Sequence, residues 1–113
     1  MIYCFDIDGV ICNTKKLNYK EAKPIKNSIN VINKLYLKGH TIKIFTGRYS
    51  QRCKMNLSKI KKMDNGLTKK QLKKWNVFYH KLYFGKPSFD IYIDDKNFNF
   101  SKNWYLKSKF KNV

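Results

Sequence analysis

The chain has 113 residues, 42% apolar and 16% aromatic, which suits one domain with a buried core and excludes disorder over its whole length. Its 25 lysines and arginines against 7 carboxylates give a formal charge of +18, so nucleic acid or an anionic surface is raised as a partner. Only Arg48 and Arg52 are arginines, and the excess of Lys, Asn, Ile, Phe and Tyr is the skew that AT-rich codons produce, so charge alone does not establish a binding face.

Ile2 to Ile7 is a short apolar and aromatic run broken by Asp6 and closed by Asp8-Gly9, the pattern of a buried strand opening into a loop. Val10 to Pro24 follows as a polar loop. Pro24 suits a first helical turn, and Ile25, Ile29, Ile32, Leu35 and Tyr36 recur at helical spacing until Gly39 stops them. Thr41 to Thr46 reads as a second strand running into Gly47-Arg48. Gln51 to Lys62 carries Met55, Leu57 and Ile60 among lysines and is expected to be helical; Asn65-Gly66 punctuates, and Thr68 is expected to cap a short helix through Trp75. Leu82 to Phe84 is a third strand followed by Gly85-Lys86-Pro87, and Asp90 to Ile93 a fourth, ending in Asp94-Asp95. Phe98 to Val113 leaves strand and helix both open. Strands alternating with helices imply one α/β domain over 1–113, with a parallel sheet whose ligands bind outside the carboxyl ends of the strands.

Cys4, Cys12 and Cys53 are odd in number and lack metal-ligand spacing, so neither a disulfide framework nor a zinc site is expected. The chain opens directly on a strand without a basic leader, and no apolar run approaches the roughly 20 residues that span a bilayer; a cytoplasmic location without membrane contact is the expectation. His40 falls at a turn and His80 in an aromatic segment, positions that suit packing better than catalysis.

Four of the seven carboxylates form two pairs at strand ends, Asp6 with Asp8 and Asp94 with Asp95. Side chains two apart on an extended chain point to one side, so Asp6 and Asp8 repel, and a divalent cation would relieve that repulsion. With Asp94 and Asp95 they would make the oxygen-rich site that Mg²⁺ prefers. A carboxylate there can attack phosphorus, while Thr46 Oγ and the Gly47 amide hold phosphoryl oxygens and Lys86 supplies positive charge.

These residues resemble the haloacid dehalogenase-like phosphatases. Phe5-Asp6-Ile7-Asp8-Gly9-Val10 is similar to that family's first motif, Ile44-Phe45-Thr46-Gly47-Arg48 to its second, Lys86 to its third and Tyr92-Ile93-Asp94-Asp95 to its fourth, in the family order. Gly39-His40-Thr41, Ala22-Lys23-Pro24-Ile25 and Phe84-Gly85-Lys86-Pro87 are similar to small phosphatases of capsule or surface-polysaccharide biosynthesis. The resemblance implies a three-layer Rossmann-like core, Asp6 as the nucleophile forming an aspartyl-phosphate, and Asp8 as the acid that protonates the leaving oxygen and then activates water. It implies Mg²⁺ held by Asp6, the backbone carbonyl of Asp8 and the acids Asp94 and Asp95, with Asp95 the direct ligand. Arg48 is left between substrate contact and structural pairing.

The family usually caps its site, but here Val10 to Pro24 is long enough only for a flap and Tyr49 to Phe84 must supply core, so no large cap is expected. A Mg²⁺-dependent phosphomonoesterase acting on a small phosphorylated metabolite such as a sugar phosphate is the leading expectation. A nucleotidase or polynucleotide 3′-phosphatase is the alternative enzyme. A non-enzymatic nucleic-acid-binding protein would use the charge but leave the placement of the acids unexplained. Oligomeric state is not legible.

Overall fold

The computed structural model describes residues 1–113. Three parallel strands, β1 (Ile2–Phe5), β4 (Thr41–Thr46) and β5 (Lys81–Phe84), form the sheet in the order β1-β4-β5. Ile2 pairs with Thr41 and Phe5 with Ile44, while Lys43 pairs with Lys81 and Thr46 with Phe84. Parallel pairing needs a crossover, supplied first by α1 (Lys26–Leu37) and then by α2 (Leu57–Asp64) and α3 (Leu67–Lys74). The helices flank the sheet, giving the expected α/β core without a large cap.

The register explains the core. Phe5, Ile42 and Ile44 share a sheet face and bury against Ile29, Ile32 and Leu35, the apolar stripe of α1. Gly39, with φ +92°, ends that helix in a conformation that a Cβ would strain. The tail forms a 3₁₀ turn at Trp104–Leu106 and a short helix α4 (Ser108–Lys111), whose Trp104 and Phe110 close the same core. Trp104 Nε1 donates to Ser28 Oγ of α1 at 3.1 Å, so the indole buries with its polar group satisfied.

Between β1 and α1 a small hairpin pairs β2 (Cys12–Asn13) with β3 (Lys23–Pro24), and residues 14–22 make the expected flap. Tyr19 sits in a 3₁₀ turn of that flap, its ring edge-on to Tyr49 at 4.9 Å.

Four expectations change. Pro24 lies in β3 opposite Cys12 rather than in a first helical turn, and α1 starts at Lys26 behind the N-cap Ile25. The strand foreseen over Ile2–Ile7 stops at Phe5, because Ile7's carbonyl accepts from the Val10, Ile11 and Cys12 amides in a tight loop. The helix foreseen from Gln51 begins only at Leu57, capped by Asn56 Oδ1 accepting from the Lys59 amide at 3.1 Å; residues 49–55 form successive turns. Asp90–Ile93 forms no strand. Ile91 and Ile93 are 79% and 90% exposed, residues 86–103 contain no regular element, and the outer edge of β1 stays unpaired.

Candidate active site

The carboxyl ends of the three strands bring Asp6, Thr46 and Lys86 together, one from each strand or the residue or two beyond it. Asp6 follows β1, with Oδ1 accepting from the Ile7 amide at 2.7 Å and Oδ2 lying 3.4 Å from Lys86 Nζ. A third of its side chain remains open, so the group is both fixed and reachable. Burial raises the Asp6 pKa above its ordinary value, and the Lys86 charge opposes that shift.

Lys86 is placed by a close approach of two loops. Its amide donates to the Thr46 carbonyl at 3.2 Å, and a Cβ on Gly47 would meet the Lys86 carbonyl oxygen at 3.1 Å. A side chain at 47 would therefore push the Lys86 carbonyl back by a few tenths of an ångström where the ends of β4 and β5 meet. Gly85, at φ +92°, makes the turn that presents Lys86. Thr46 is fully buried at the floor of this junction, where Oγ1 accepts from the Arg48 amide at 3.1 Å and keeps its own proton to donate.

Asp8 and Arg48 form the second half of the site. Arg48 Nε donates to Asp8 Oδ2 at 2.9 Å and Nη2 to Asp8 Oδ1 at 3.0 Å, a two-pronged pair. Nη1 donates to Thr68 Oγ1 at 3.2 Å and Gln71 Oε1 at 2.6 Å, and Nη2 also to Cys12 Sγ at 3.7 Å. The guanidinium stacks under the Tyr19 ring, 4.9 Å from its centroid. All five N–H groups of Arg48 are thus engaged inside the protein and its side chain is 0% exposed, the arrangement of a structural pair.

Sequence reasoning missed this support. Thr68 does not cap α3, whose N-cap is Gly66; it lies buried, its hydroxyl donating to Asp64 Oδ1 at 2.6 Å. Gln71 ties Arg48 to the flap, its Nε2 donating to the Tyr19 carbonyl at 2.6 Å. Thr14 donates to Asp8 Oδ1 from the flap. Cys12, its thiol pushed up to about 11 by burial, stays protonated beneath Asp8. The i, i+3 spacing of Thr68 and Gln71 on one helix face was the only available signal. His40 and His80 are absorbed structurally, as expected: His40 Nδ1 lies 2.9 Å from the terminal amine, and His80 Nδ1 accepts from the Ile42 amide at 3.0 Å.

Asp94 and Asp95 are not brought to Asp6 and Asp8. With Asp90–Ile93 unpaired, Asp94 turns to its own neighbours, accepting from the Lys96 amide at 3.0 Å and from Tyr92 Oη at 3.3 Å. No three or more His, Cys, Asp or Glu side chains converge anywhere as a metal cluster. Asp6's carboxylate is shared with Lys86 and neither Asp94 nor Asp95 joins it, so the acids as placed do not gather the expected Mg²⁺ ligands; the pairing of Asp8's carboxylate with Arg48 does not bear on the backbone carbonyl expected of it.

The sequence matches no protein-family model and no curated protein. The fold, however, has solved counterparts. One is a structural-genomics target from Vibrio cholerae, with a TM-score of 0.84 at 23% identity over 96% of this chain and 90% of that one. A second is the D,D-heptose 1,7-bisphosphate phosphatase of B. bronchiseptica, solved with magnesium and phosphate. It gives a TM-score of 0.51 at 14% identity over 74% of this chain, which spans about half of that longer protein. Both likenesses establish the fold: a small Rossmann-like core shared with a phosphatase. No helix is long and apolar enough to cross a membrane.

Proposed function

We propose that the chain is a phosphomonoesterase of the haloacid dehalogenase-like type, acting on a phosphorylated metabolite through an aspartyl-phosphate on Asp6. The observation that carries the reading is the Asp6–Lys86 pair at the carboxyl ends of parallel strands, one carboxylate held in place and partly open beside a fixed cation.

Asp6 attacks phosphorus, forming an Oδ–P bond as the ester P–O bond breaks. A protonated Asp8 would give its proton to the leaving oxygen, a step that requires its carboxyl group to leave the pair it makes with Arg48 at rest. Water then attacks the phosphoenzyme, giving its proton to Asp8, and inorganic phosphate departs as Asp6 is restored. Lys86 neutralises Asp6 in the resting site and transfers its attraction to the phosphoryl oxygens when substrate arrives, helped by the Gly47 backbone and the Thr46 hydroxyl proton. Arg48 and Thr14 fix the resting position of Asp8, which retains 26% exposure on its side chain. The acids as placed do not hold Mg²⁺, so no step is routed through one; Asp94 and Asp95 as cation ligands would require residues 90–95 to move toward β1.

The flap leaves the site uncapped and suited to a substrate larger than inorganic phosphate. A sugar phosphate is the class favoured by the likeness to surface-polysaccharide phosphatases, and a cytoplasmic location goes with it. The test is hydrolysis of an aryl phosphate, with intact-mass detection of a phosphorylated chain. Wild type should turn over and Asp6→Asn should form no phosphoenzyme; turnover by Asp6→Asn would remove Asp6 as nucleophile.

A further inference from the structure

Lys86 touches more than Asp6. Its Nζ lies 5.4 Å from the ring centre of Phe89 and 5.6 Å from that of Tyr92, and the two rings stand 5.0 Å apart, inclined at 33°. The same ammonium is 3.4 Å from Asp6 Oδ2, the oxygen left free to attack while Oδ1 accepts from the Ile7 amide. Neither ring belongs to the apolar core, and each is a little under half exposed. Phe98 and Phe100 are exposed to a similar degree further along the segment, but Phe98 turns to Phe110 of α4, whereas Phe89 and Tyr92 turn to the candidate site.

Local hydrogen bonds hold Tyr92 in this place. Its carbonyl accepts from Asn97 Nδ2 at 3.1 Å and its Oη donates to Asp94 Oδ2 at 3.3 Å, while Asp94 Oδ1 accepts from the Lys96 amide at 3.0 Å. Asp94, kept away from Asp6, thus steadies a ring that faces Asp6's partner. A phosphoryl group is held by charge and hydrogen bonds and has no use for aromatic surface. What an aromatic face binds is the flat apolar face of another ring, with centres about 4.5–7 Å apart. When phosphoryl oxygens draw the Lys86 ammonium from Asp6, the two rings flank them and stay open to solvent, as the rest of the ester must be where no large cap covers the site.

We propose that Phe89 and Tyr92 are the specificity-determining surface of this site, and that the preferred substrates are phosphomonoesters whose leaving group carries a ring that lies flat against them. This rests on the phosphomonoesterase reading and narrows its substrate class to ring-bearing over short acyclic esters. The ring comes either from a pyranose presenting its C–H face or from the base of a nucleotide; the chemistry recognised, a flat apolar face on an aromatic one, is the same.

The test compares phenyl phosphate, a hexopyranose phosphate, a nucleoside monophosphate and glycerol phosphate as substrates. The proteins are wild type, Phe89→Leu/Tyr92→Leu, Tyr92→Phe, and Phe98→Leu/Phe100→Leu, which removes two rings elsewhere in the segment. The 89/92 leucine variant should lose about tenfold in kcat/KM, mainly through KM, on phenyl phosphate and on the ring-bearing metabolite that wild type prefers, and at most about twofold on glycerol phosphate. Tyr92→Phe keeps the ring and should retain the preference. Which metabolite responds, the sugar or the nucleotide, identifies the source. Equal losses on every substrate would reduce the rings to holding Lys86 and overturn the proposal. No loss on any substrate, the same selective loss in the 98/100 variant, or a preference that vanishes in Tyr92→Phe would overturn it as well. Calorimetric binding of phenylphosphonate and methylphosphonate, whose carbon–phosphorus bonds are not hydrolysed, gives a readout that survives failure of the phosphatase reading. Tighter binding of phenylphosphonate by wild type, with the gap closed in the 89/92 variant, supports the aromatic surface; equal binding, an unchanged gap or no binding at all removes it.

Discussion

Replacing Arg48 by Met tests the organisation of the site most directly, because it keeps the side chain's length and removes every hydrogen bond it donates. Arg48 is 0% exposed and Asp8 26%, so the substitution breaks a pair buried on one side and wet on the other. Removing one partner of a fully buried pair costs about 3–5 kcal/mol, and the water reaching Asp8 moves the expectation to the lower end, about 3 kcal/mol. Gln71 Oε1 also loses its donor, adding about 1 kcal/mol. A loss of about 4 kcal/mol is a large part of the 5–15 kcal/mol typical of a domain, so Arg48→Met should fold with a much lower urea midpoint by far-UV circular dichroism. Asp8→Asn should cost more, since it leaves the guanidinium buried without a counter-charge, and the double variant should cost less than the sum by more than about 1 kcal/mol. Arg48→Lys keeps the charge without the fork and should lower kcat with KM nearly unchanged. Additive costs, an Arg48→Met variant within about 1 kcal/mol of wild type, or a rise in KM alone would refute the positioning role.

Asp6→Asn should abolish aryl phosphate turnover while keeping the fold. A raised folded pKa contributes stability at low pH that is lost as pH rises through it, so at pH 7 the ionised Asp6 is a cost, and the urea midpoint of Asp6→Asn should not fall. The same shift sets activity: Asp6 must be ionised to attack, so the acid limb of kcat/KM should lie above the ordinary 3.8 and move higher in Lys86→Met, whose lost charge had opposed the shift. An unmoved limb in Lys86→Met would disconnect Lys86 from the nucleophile. Gly47→Ala should lower turnover by up to about tenfold by pushing the Lys86 carbonyl back a few tenths of an ångström, read against an unchanged circular dichroism spectrum. Asp94→Asn and Asp95→Asn should reduce turnover less than Asp6→Asn does; equal losses would show that residues 90–95 dock on β1 and complete a cation site.

Local pattern was enough for the elements whose partners are dictated by periodicity. Thr41–Thr46 is a strand from end to end, and α1 follows its Ile and Leu spacing to Gly39, because each buries one face whatever lies opposite. The convergence of Asp6, Thr46 and Lys86 was legible because they fall at or just beyond strand ends, where a parallel sheet gathers them. The role of Arg48 was not, since its partners Asp8, Thr68 and Gln71 lie 40, 20 and 23 residues away and only packing brings them together. The aromatic tail was equally undecided in sequence: Trp104 and Phe110 fold into a 3₁₀ turn and a short helix because β1 and α1 leave apolar surface for them to cover, 76 residues from the Ser28 that receives the indole proton. Asp90–Ile93 shows the converse. Its alternation has the form of a strand, but strand propensity measures fit to a pleated, half-buried surface, and without a paired neighbour those residues remain exposed, with Asp94 and Asp95 held away from the acids they were expected to join.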